Sequence, residues 1–514
     1  MLAGGTIDAK DRPDVYIALV GAAGTDLEIV KTQLKAHFCS YDYQYNEVKV
    51  SRLIQSFIGL KTEGTPEDER VRALMDGGDQ IRQLHKGGDG VVTLIVSAII
   101  ALRPKRDPDQ TGLGGANVFV IDSLKNPKEI QTLDKIYGRN FYTVSVYASE
   151  SDRIAKFANR IAESKHTNTR EEHIENAKAA IKEDERRDTT DLSQDVQNTF
   201  PKADFFVADD DQIDTQIKRF VDLVFGEPFT TPTVDEYAMF TAKAVSLRSA
   251  DLSRQVGAAI IGDDGTVIST GFNDVPYPAG GVWHEGRNGP DNRDHVVEFD
   301  PNTAEISNIF HELVESFRKA GILSDEASGK ELSELVEQLL HGQWRELTID
   351  ARVRNLIEFG RVVHAEMHAI SEAARVGRAV ANSTLYCTTF PCHVCARHII
   401  AAGIRSVVFI EPYPKSLTKT LYCREISTDD QIGTLPSAVQ FRPFQGVSPT
   451  LYQRVFSMRP RKGKFGAVAK FNRTRAMPVG GVQGVSNFLL EKFYNARLDE
   501  IHTLIKTAKK GMVE

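Results

Sequence analysis

Cysteine is scarce in this chain, and what there is does not pair up. Of 514 residues only 5 are cysteine; Cys387, Cys392 and Cys395 crowd together, with Cys39 and Cys423 far from them. An odd number spaced in this way does not read as a disulfide framework and favours metal ligation. Long apolar runs are missing too. The longest, Val91 to Leu102, is broken by Thr93 and Ser97 and falls well short of the roughly 18 residues a membrane helix needs, which excludes a membrane span. The opening stretch, MLAGGTIDAKDRPD, lacks the basic-then-apolar order of a secretory signal, so a cytoplasmic location is expected. Nor is there a large excess of charge of one sign. Lys plus Arg number 63 against 70 Asp plus Glu, a net charge of −7, with 30 against 38 in residues 1–232 and 33 against 32 in residues 233–514. Neither half reads as a general polyanion binder. One local exception is Phe441 to Arg475, with nine Lys or Arg and no acid.

What is present suggests two α/β domains, 1–230 and 231–514. Val15 to Val20 is a β-rich run that ends in Gly21-Ala-Ala-Gly24-Thr25-Asp26 and leads into a helical pattern, Leu27 to Phe38. Strand, glycine turn and helix make a phosphate-binding layout. Further runs at Gly90 to Ile100, Ala116 to Ile121 and Phe141 to Tyr147 alternate with helical or loop segments, which predicts a parallel sheet. Residues 151–198, with Arg153, Arg160, Arg170, Arg186 and Arg187 among acids, read as a charged, solvated helical region. Ala203 to Val207 and the amphipathic Ile213 to Phe225 close the unit, and Gly226 to Pro232 reads as a linker. The second half opens with a helix, Val234 to Leu247, and a hairpin, Gln255 to Ile261 and Thr266 to Gly271, turning at Gly262-Asp-Asp-Gly265. Residues 274–360 look like an insertion over a site, with helices around Ala304 to Ala320 and Lys330 to Leu340.

The chemistry concentrates at His364-Ala-Glu366 and, beginning 25 positions after Glu366, Pro391-Cys392-His-Val-Cys395. H-x-E followed by P-C-x-x-C is the signature of zinc deaminases. Two thiolates three apart in a first helical turn share one face, and the free amides there favour the anionic sulfurs. With one imidazole they leave tetrahedral Zn²⁺ a fourth position for water, as a catalytic site requires; a structural site would be closed by four protein ligands. Glu366, two residues from the histidine, is placed to shuttle protons in hydrolytic deamination.

Gln255-Val-Gly-Ala-Ala-Ile260, Gly271-Phe-Asn273, His364-Ala-Glu-Met-His-Ala-Ile370 and the stretch Thr384 to Val408 resemble the deoxycytidylate deaminase family, over most of residues 237–415. The whole arrangement is similar to bacterial anti-phage dCTP deaminases, which destroy the dCTP and dCMP pool during infection. The resemblance implies a cytidine-deaminase-like α/β/α domain with Zn²⁺ on His364, Cys392 and Cys395, and Glu366 as the catalytic residue. It implies that Asn273 holds the sugar and, through a looser match, that Arg248, Ser253 and Arg254 contact phosphate. It also implies dCTP or dCMP as substrate, a homo-oligomer and an inhibitory small RNA, for which Phe441 to Arg475 is the candidate surface. Cys387 reads as a core thiol, and His368 and His393 as supporting or packing residues. His284, His295, His311, His341 and Cys423 are candidates for a second metal site, which some relatives have.

Val15 to Asp26 resembles the P-loop of deoxynucleotide kinases, but a working loop reads G-x-x-x-x-G-K-[ST], with lysine on the phosphates and a hydroxyl on Mg²⁺. Here Gly21 is followed by Gly24, Thr25 and Asp26, with no lysine before Lys31. The expectation is a degenerate P-loop kinase-like domain that senses or regulates without transferring phosphate. Two rival functions remain at this point: a polynucleotide deaminase acting on a flipped base, and a binding protein with a relic zinc site, against which the intact Glu366 argues.

Overall fold

The computed structural model describes residues 12–61, 64–103, 115–167, 169–185, 192–349, 351–413, 416–428, 437–481 and 485–511. Arg186, Arg187 and the opening stretch through residue 11 lie outside them. The chain divides into two compact units. Among the described residues no helix is long and apolar enough to cross a membrane.

The first unit is built on β1 (Val15–Val20), β2 (Gln44–Lys49), β3 (Asn117–Asp122), β4 (Phe141–Tyr147) and β5 (Phe205–Ala208), parallel and ordered 5-4-1-3-2. Every residue of β1 is buried because both sheet faces are covered. Val15, Ile17 and Leu19 enter a core with α1 (Leu27–Cys39), while Tyr16, Ala18 and Val20 enter the other with α2 (Val50–Ile58). Around them lie α3 (Glu67–His85), α4 (Val92–Leu102), α5 (Pro127–Tyr137), α6 (Glu150–Ser164), α7 (Ile174–Glu185) and α8 (Ile213–Val224). Strands on both sides of β1 open a crevice at its carboxyl end, where folds of this topology take ligands.

Two sequence expectations are corrected here. Gly90 to Ile100 is not a strand: it contains most of α4, whose Val92, Leu94, Ile95, Val96 and Ile99 are buried. A short, continuously apolar run has no period that separates a buried helix from a buried strand. The strand position beside β3 belongs instead to β2, a mostly polar edge strand. The second correction concerns the boundary. Residues from Pro443 onward belong to the first unit, and the second holds Thr241–Thr428 with the stretch ending at Arg442. β12 (Gly446–Val447) pairs antiparallel with β5, and Val447, Leu451 and Val455 enter the core beneath it. Glu491, on the final helix, accepts from Tyr137 Oη and Arg103.

The second unit follows α9 (Val234–Ser246), within which the division falls. Its sheet runs β10 (Ile426–Ser427), β11 (Val439–Pro443), β9 (Ser406–Glu411), β8 (Thr384–Thr389), β6 (Gly257–Ile261), β7 (Val267–Phe272). The β6–β7 hairpin forms as expected. In the insertion, α10 (Pro301–Lys319) and α11 (Leu332–Leu340) share a small core of Phe310, Val314, Leu335, Val336 and Leu340. Two helices frame the site: α12 (Ala365–Arg375) and α13 (His393–Ala401). α12 lies directly on β7 because Gly271 has no side chain; a Cβ there would stand 2.2 Å from the Ala365 carbonyl oxygen.

Candidate metal centre and deaminase site

Two helix N-termini meet at the site. His364 caps α12 and Cys392 caps α13, each in extended backbone, so both side chains are delivered where a loop turns into a helix. Cys395 follows one turn later, and its backbone N–H donates to Cys392 Sγ at 3.4 Å. His364 Nδ1 stands 3.2 Å from Cys392 Sγ and 3.4 Å from Cys395 Sγ, close enough for one ion to be shared. Glu366 is 4% exposed, with Oε2 3.5 Å from Cys395 Sγ.

The donor set fits a divalent cation. The Cys392 thiol is held down to about 4, chiefly by the hydrogen bond from Cys395, whereas burial pushes Cys395 well up, so by themselves the two sulfurs carry one negative charge. Burial disfavours a charged His364, yet the hydrogen bond and negative charge of Cys392 outweigh it and raise the imidazole to about 9. Burial likewise raises Glu366. A dication would replace the proton that this pocket otherwise needs.

A cavity of about 350 Å³ opens on the cluster, bordered by Ser253, Arg254, Asn273, His364, Glu366, Cys392 and Tyr413, and by Asp294, Asp300 and Asn302 of the insertion. Asp294, Asp300 and Asn302 thus form part of the cavity wall. Asn273 is buried with both ends of its amide engaged: Oδ1 accepts from Val256 N–H at 2.7 Å and Nδ2 donates to the Arg254 carbonyl at 2.8 Å. Ser253 and Arg254 reach the cavity, but Arg248 is not among its lining residues and places its guanidinium over the Phe272 ring at 4.7 Å.

Sequence reasoning missed Asp251 and Tyr413. Asp251 accepts from the backbone N–H groups of Ser253 and Arg254 and so shapes that loop; an Asp two and three residues before those amides is a turn signal that could have been read. Tyr413 lies under the Arg254 guanidinium at 5.8 Å and carried no motif. Cys387 is fully buried in β8, and His368 Nδ1 meets the Phe272 backbone, so both serve packing. His393 faces Glu358 at 3.8 Å. Among the described residues, His284, His295, His311, His341 and Cys423 form no metal-ligand group.

Residues 232–411 match the cytidine and deoxycytidylate deaminase zinc-binding region. Over 175 residues, 34% of this chain and 78% of the relative, the sequence is 30% identical to the deoxycytidylate deaminase of Enterobacteria phage T2. The chain belongs to the deoxycytidylate deaminase family. A second deoxycytidylate deaminase, from Enterobacteria phage T4, is 27% identical over 175 residues, 34% of this chain and 76% of that protein. Among solved structures, the apo dCMP deaminase of cyanophage S-TIM5 is 18% identical and aligns over 41% of this chain and 98% of that one, with a TM-score of 0.21. As a deoxycytidylate deaminase family member the chain is a deaminase with Zn²⁺ as cofactor, and His364, Cys392 and Cys395 are the group that can bind the metal.

Proposed function

We propose that this chain hydrolytically deaminates deoxycytidine nucleotides, dCMP and dCTP, to dUMP and dUTP, and that it thereby drains the dCTP pool as an anti-phage defence. The observation that carries the chemistry is Glu366, a buried carboxyl beside the His364–Cys392–Cys395 cluster at the floor of a walled cavity. His364, Cys392 and Cys395 would hold a zinc ion, which when bound would acidify a water and so supply the nucleophile at neutral pH. Glu366 takes the proton that this water loses and delivers it to N3 of the cytosine ring. The oxygen bonds to C4, and as its remaining proton passes through Glu366 to the amino group the C4–N bond breaks and ammonia leaves. Asn273, locked between two backbone groups, fixes the loop on which the sugar rests, and Arg254 with Ser253 meets the phosphate end.

The cavity walls favour a free nucleotide over a polynucleotide. Apart from His364, its one basic residue is Arg254, against Asp251, Asp294, Asp300 and Glu366, and a groove that tracks a nucleic-acid backbone needs the opposite balance. We read the first unit as a degenerate P-loop domain that binds and regulates without phosphoryl transfer, the whole working in the cytoplasm as a homo-oligomer. In the basic segment, Arg454 lies over Tyr142, Arg461 donates to the Pro228 carbonyl and Arg473 pairs with Asp222. The exposed Lys462, Lys464, Lys470 and Arg475 are what remains to meet an inhibitory small RNA through its phosphates.

Incubation with dCMP, dCTP, cytidine and a cytosine-containing oligonucleotide, followed by chromatography, tests the reading. Uracil should appear in the free nucleotides; appearance only in the oligonucleotide would transfer the assignment to nucleic-acid editing.

A further inference from the structure

The first unit contains a cavity of about 790 Å³ at the carboxyl end of β1, and one end of it is already filled by the protein itself. Three carboxylates occupy the loop that would cradle a polyphosphate. Asp184 Oδ2 accepts from Ala23 N–H at 2.7 Å, Asp209 Oδ2 from Asp26 N–H at 3.4 Å, and Asp26 Oδ1 from Glu28 N–H at 3.0 Å. Asp184 is held in turn by Lys125 Nζ at 2.9 Å. Gly24, at φ +93°, is pressed so closely on α6 that a Cβ would stand 2.4 Å from the Arg153 carbonyl oxygen. Amides that already have carboxylate acceptors do not receive a triphosphate.

Basic side chains line the same cavity, beside the carboxylates Glu67 and Glu163. Arg52 on α2, Arg70 on α3 and Arg160 on α6 border it. Arg70 is bound to Glu67 through two N–H groups, but among the described residues no carboxylate lies within ion-pair distance of Arg52 or Arg160. Glu67, Asp26 and Glu163 act on Arg160 only from longer range, and the neighbouring Arg70 opposes them. The same cavity is bordered by Thr25, which is 7% exposed and whose hydroxyl has no hydrogen-bond partner. Ile54, Val71, Leu74, Met75 and Val91 give the cavity an apolar wall. Two guanidiniums without an ion-pair partner, that of Arg160 over the Phe157 ring at 5.1 Å, suit one phosphate dianion, an apolar wall suits a flat base, and the volume lies within the range of small-ligand sites.

We propose that this cavity binds a nucleoside monophosphate, with its phosphate on Arg52 and Arg160 and its base against Val71, Leu74 and Met75, as a ligand that is held and not converted. This deepens the reading of the first unit as a binding domain and is independent of whether the second unit deaminates dCMP. Purine monophosphates make the test, because the deaminase cavity is assigned to cytosine nucleotides. Calorimetric titration of the full-length zinc-loaded protein with AMP, dGMP, ATP, adenosine and inorganic phosphate should show a monophosphate binding at least about tenfold more tightly than adenosine or phosphate, with ATP no tighter than AMP. Arg52→Ala with Arg160→Ala should weaken the monophosphate by about tenfold or more without moving the melting temperature, since both side chains are exposed at the cavity mouth. Thr25→Val, nearly the same shape, checks the buried hydroxyl in a background that keeps both arginines. Absence of any monophosphate binding at millimolar ligand, binding untouched by the double arginine variant, or ATP binding the more tightly would each overturn the proposal. A failure of dCMP turnover would leave these titrations unaffected.

Discussion

The two units use one physical device to opposite ends. In each, a strand delivers the chain to a helix N-terminus whose free amides favour negative charge. At α13 the amides face the sulfurs of Cys392 and Cys395, and the third member of their cluster is a histidine, a set of donors that suits a cation. At α1 the amides are met by Asp26, Asp184 and Asp209, and Asp184 has its own cation in Lys125, so nothing further is wanted. A helix N-terminus therefore does not define a ligand site by itself. Whether the protein's own side chains have already satisfied it decides the matter.

The contrast breaks most visibly at the metal. Cys392→Ala or His364→Ala should abolish both bound zinc, from about one per chain, and deamination, read by elemental analysis and dCMP turnover. Full turnover after exhaustive chelation would remove zinc from the chemistry. Next in size is Glu366→Gln, which leaves the ligand trio intact. Zinc content should persist while kcat falls by at least ~10²-fold, the lower range for lost general acid–base work. Unchanged kcat would mean that another group moves the proton.

These residues were also the most legible in the sequence, for a reason that sets the limits of reading elsewhere. Metal chemistry demands particular residue types at fixed spacing, so His364, Glu366, Cys392 and Cys395 announce themselves in one dimension. Closure of the phosphate loop does not, because Asp184 and Asp209 reach Ala23 and Asp26 from 161 and 183 residues away. The sequence showed only that the lysine was missing. The chain's return to the first sheet was hidden for a similar reason: β12 has two residues, and its partner β5 lies far upstream. α4 was misread because its apolar residues run without a period, and β2 was overlooked because an edge strand can be polar.

A smaller effect is expected at the closed loop. Asp184→Ala would leave the Ala23 N–H without its acceptor and Lys125 with the Gly21 carbonyl but no carboxylate, and Asp184 is almost wholly buried while Lys125 is about three-quarters buried. Loss of about 3 kcal/mol in urea unfolding is expected, near the low end for breaking a buried pair because Lys125 keeps some water. An effect near zero would show that the carboxylate only fills space. Neither this variant nor the unaltered protein should transfer labelled γ-phosphate from ATP to any deoxynucleoside, because no lysine stands where the reaction needs one. Detection of labelled monophosphate would make the loop a working cradle.

The smallest expected effect concerns a carboxyl of the first unit that lacks the close cation enjoyed by Asp184. Asp204 Oδ2 accepts from Thr143 N–H at 2.9 Å. The residue keeps some surface, yet its carboxyl group is enclosed, and the group's own surroundings govern its proton. Burial therefore pushes Asp204 up to about 6, with Arg454 pulling the other way. In the unfolded chain an aspartate titrates near ~3.9. The folded state thus holds a proton that the unfolded state has already released, and the stability this contributes is complete below about pH 4 and lost as pH rises through about 6. Asp204→Asn keeps an oxygen acceptor for Thr143 and cannot ionise. Its urea midpoint, compared with that of the unaltered protein, should gain as pH is raised from 4 to 7 and level off above that. A gain in the opposite direction would mean that Asp204 is ionised in the fold and stabilised by Arg454, which would place it with Asp184 rather than apart from it.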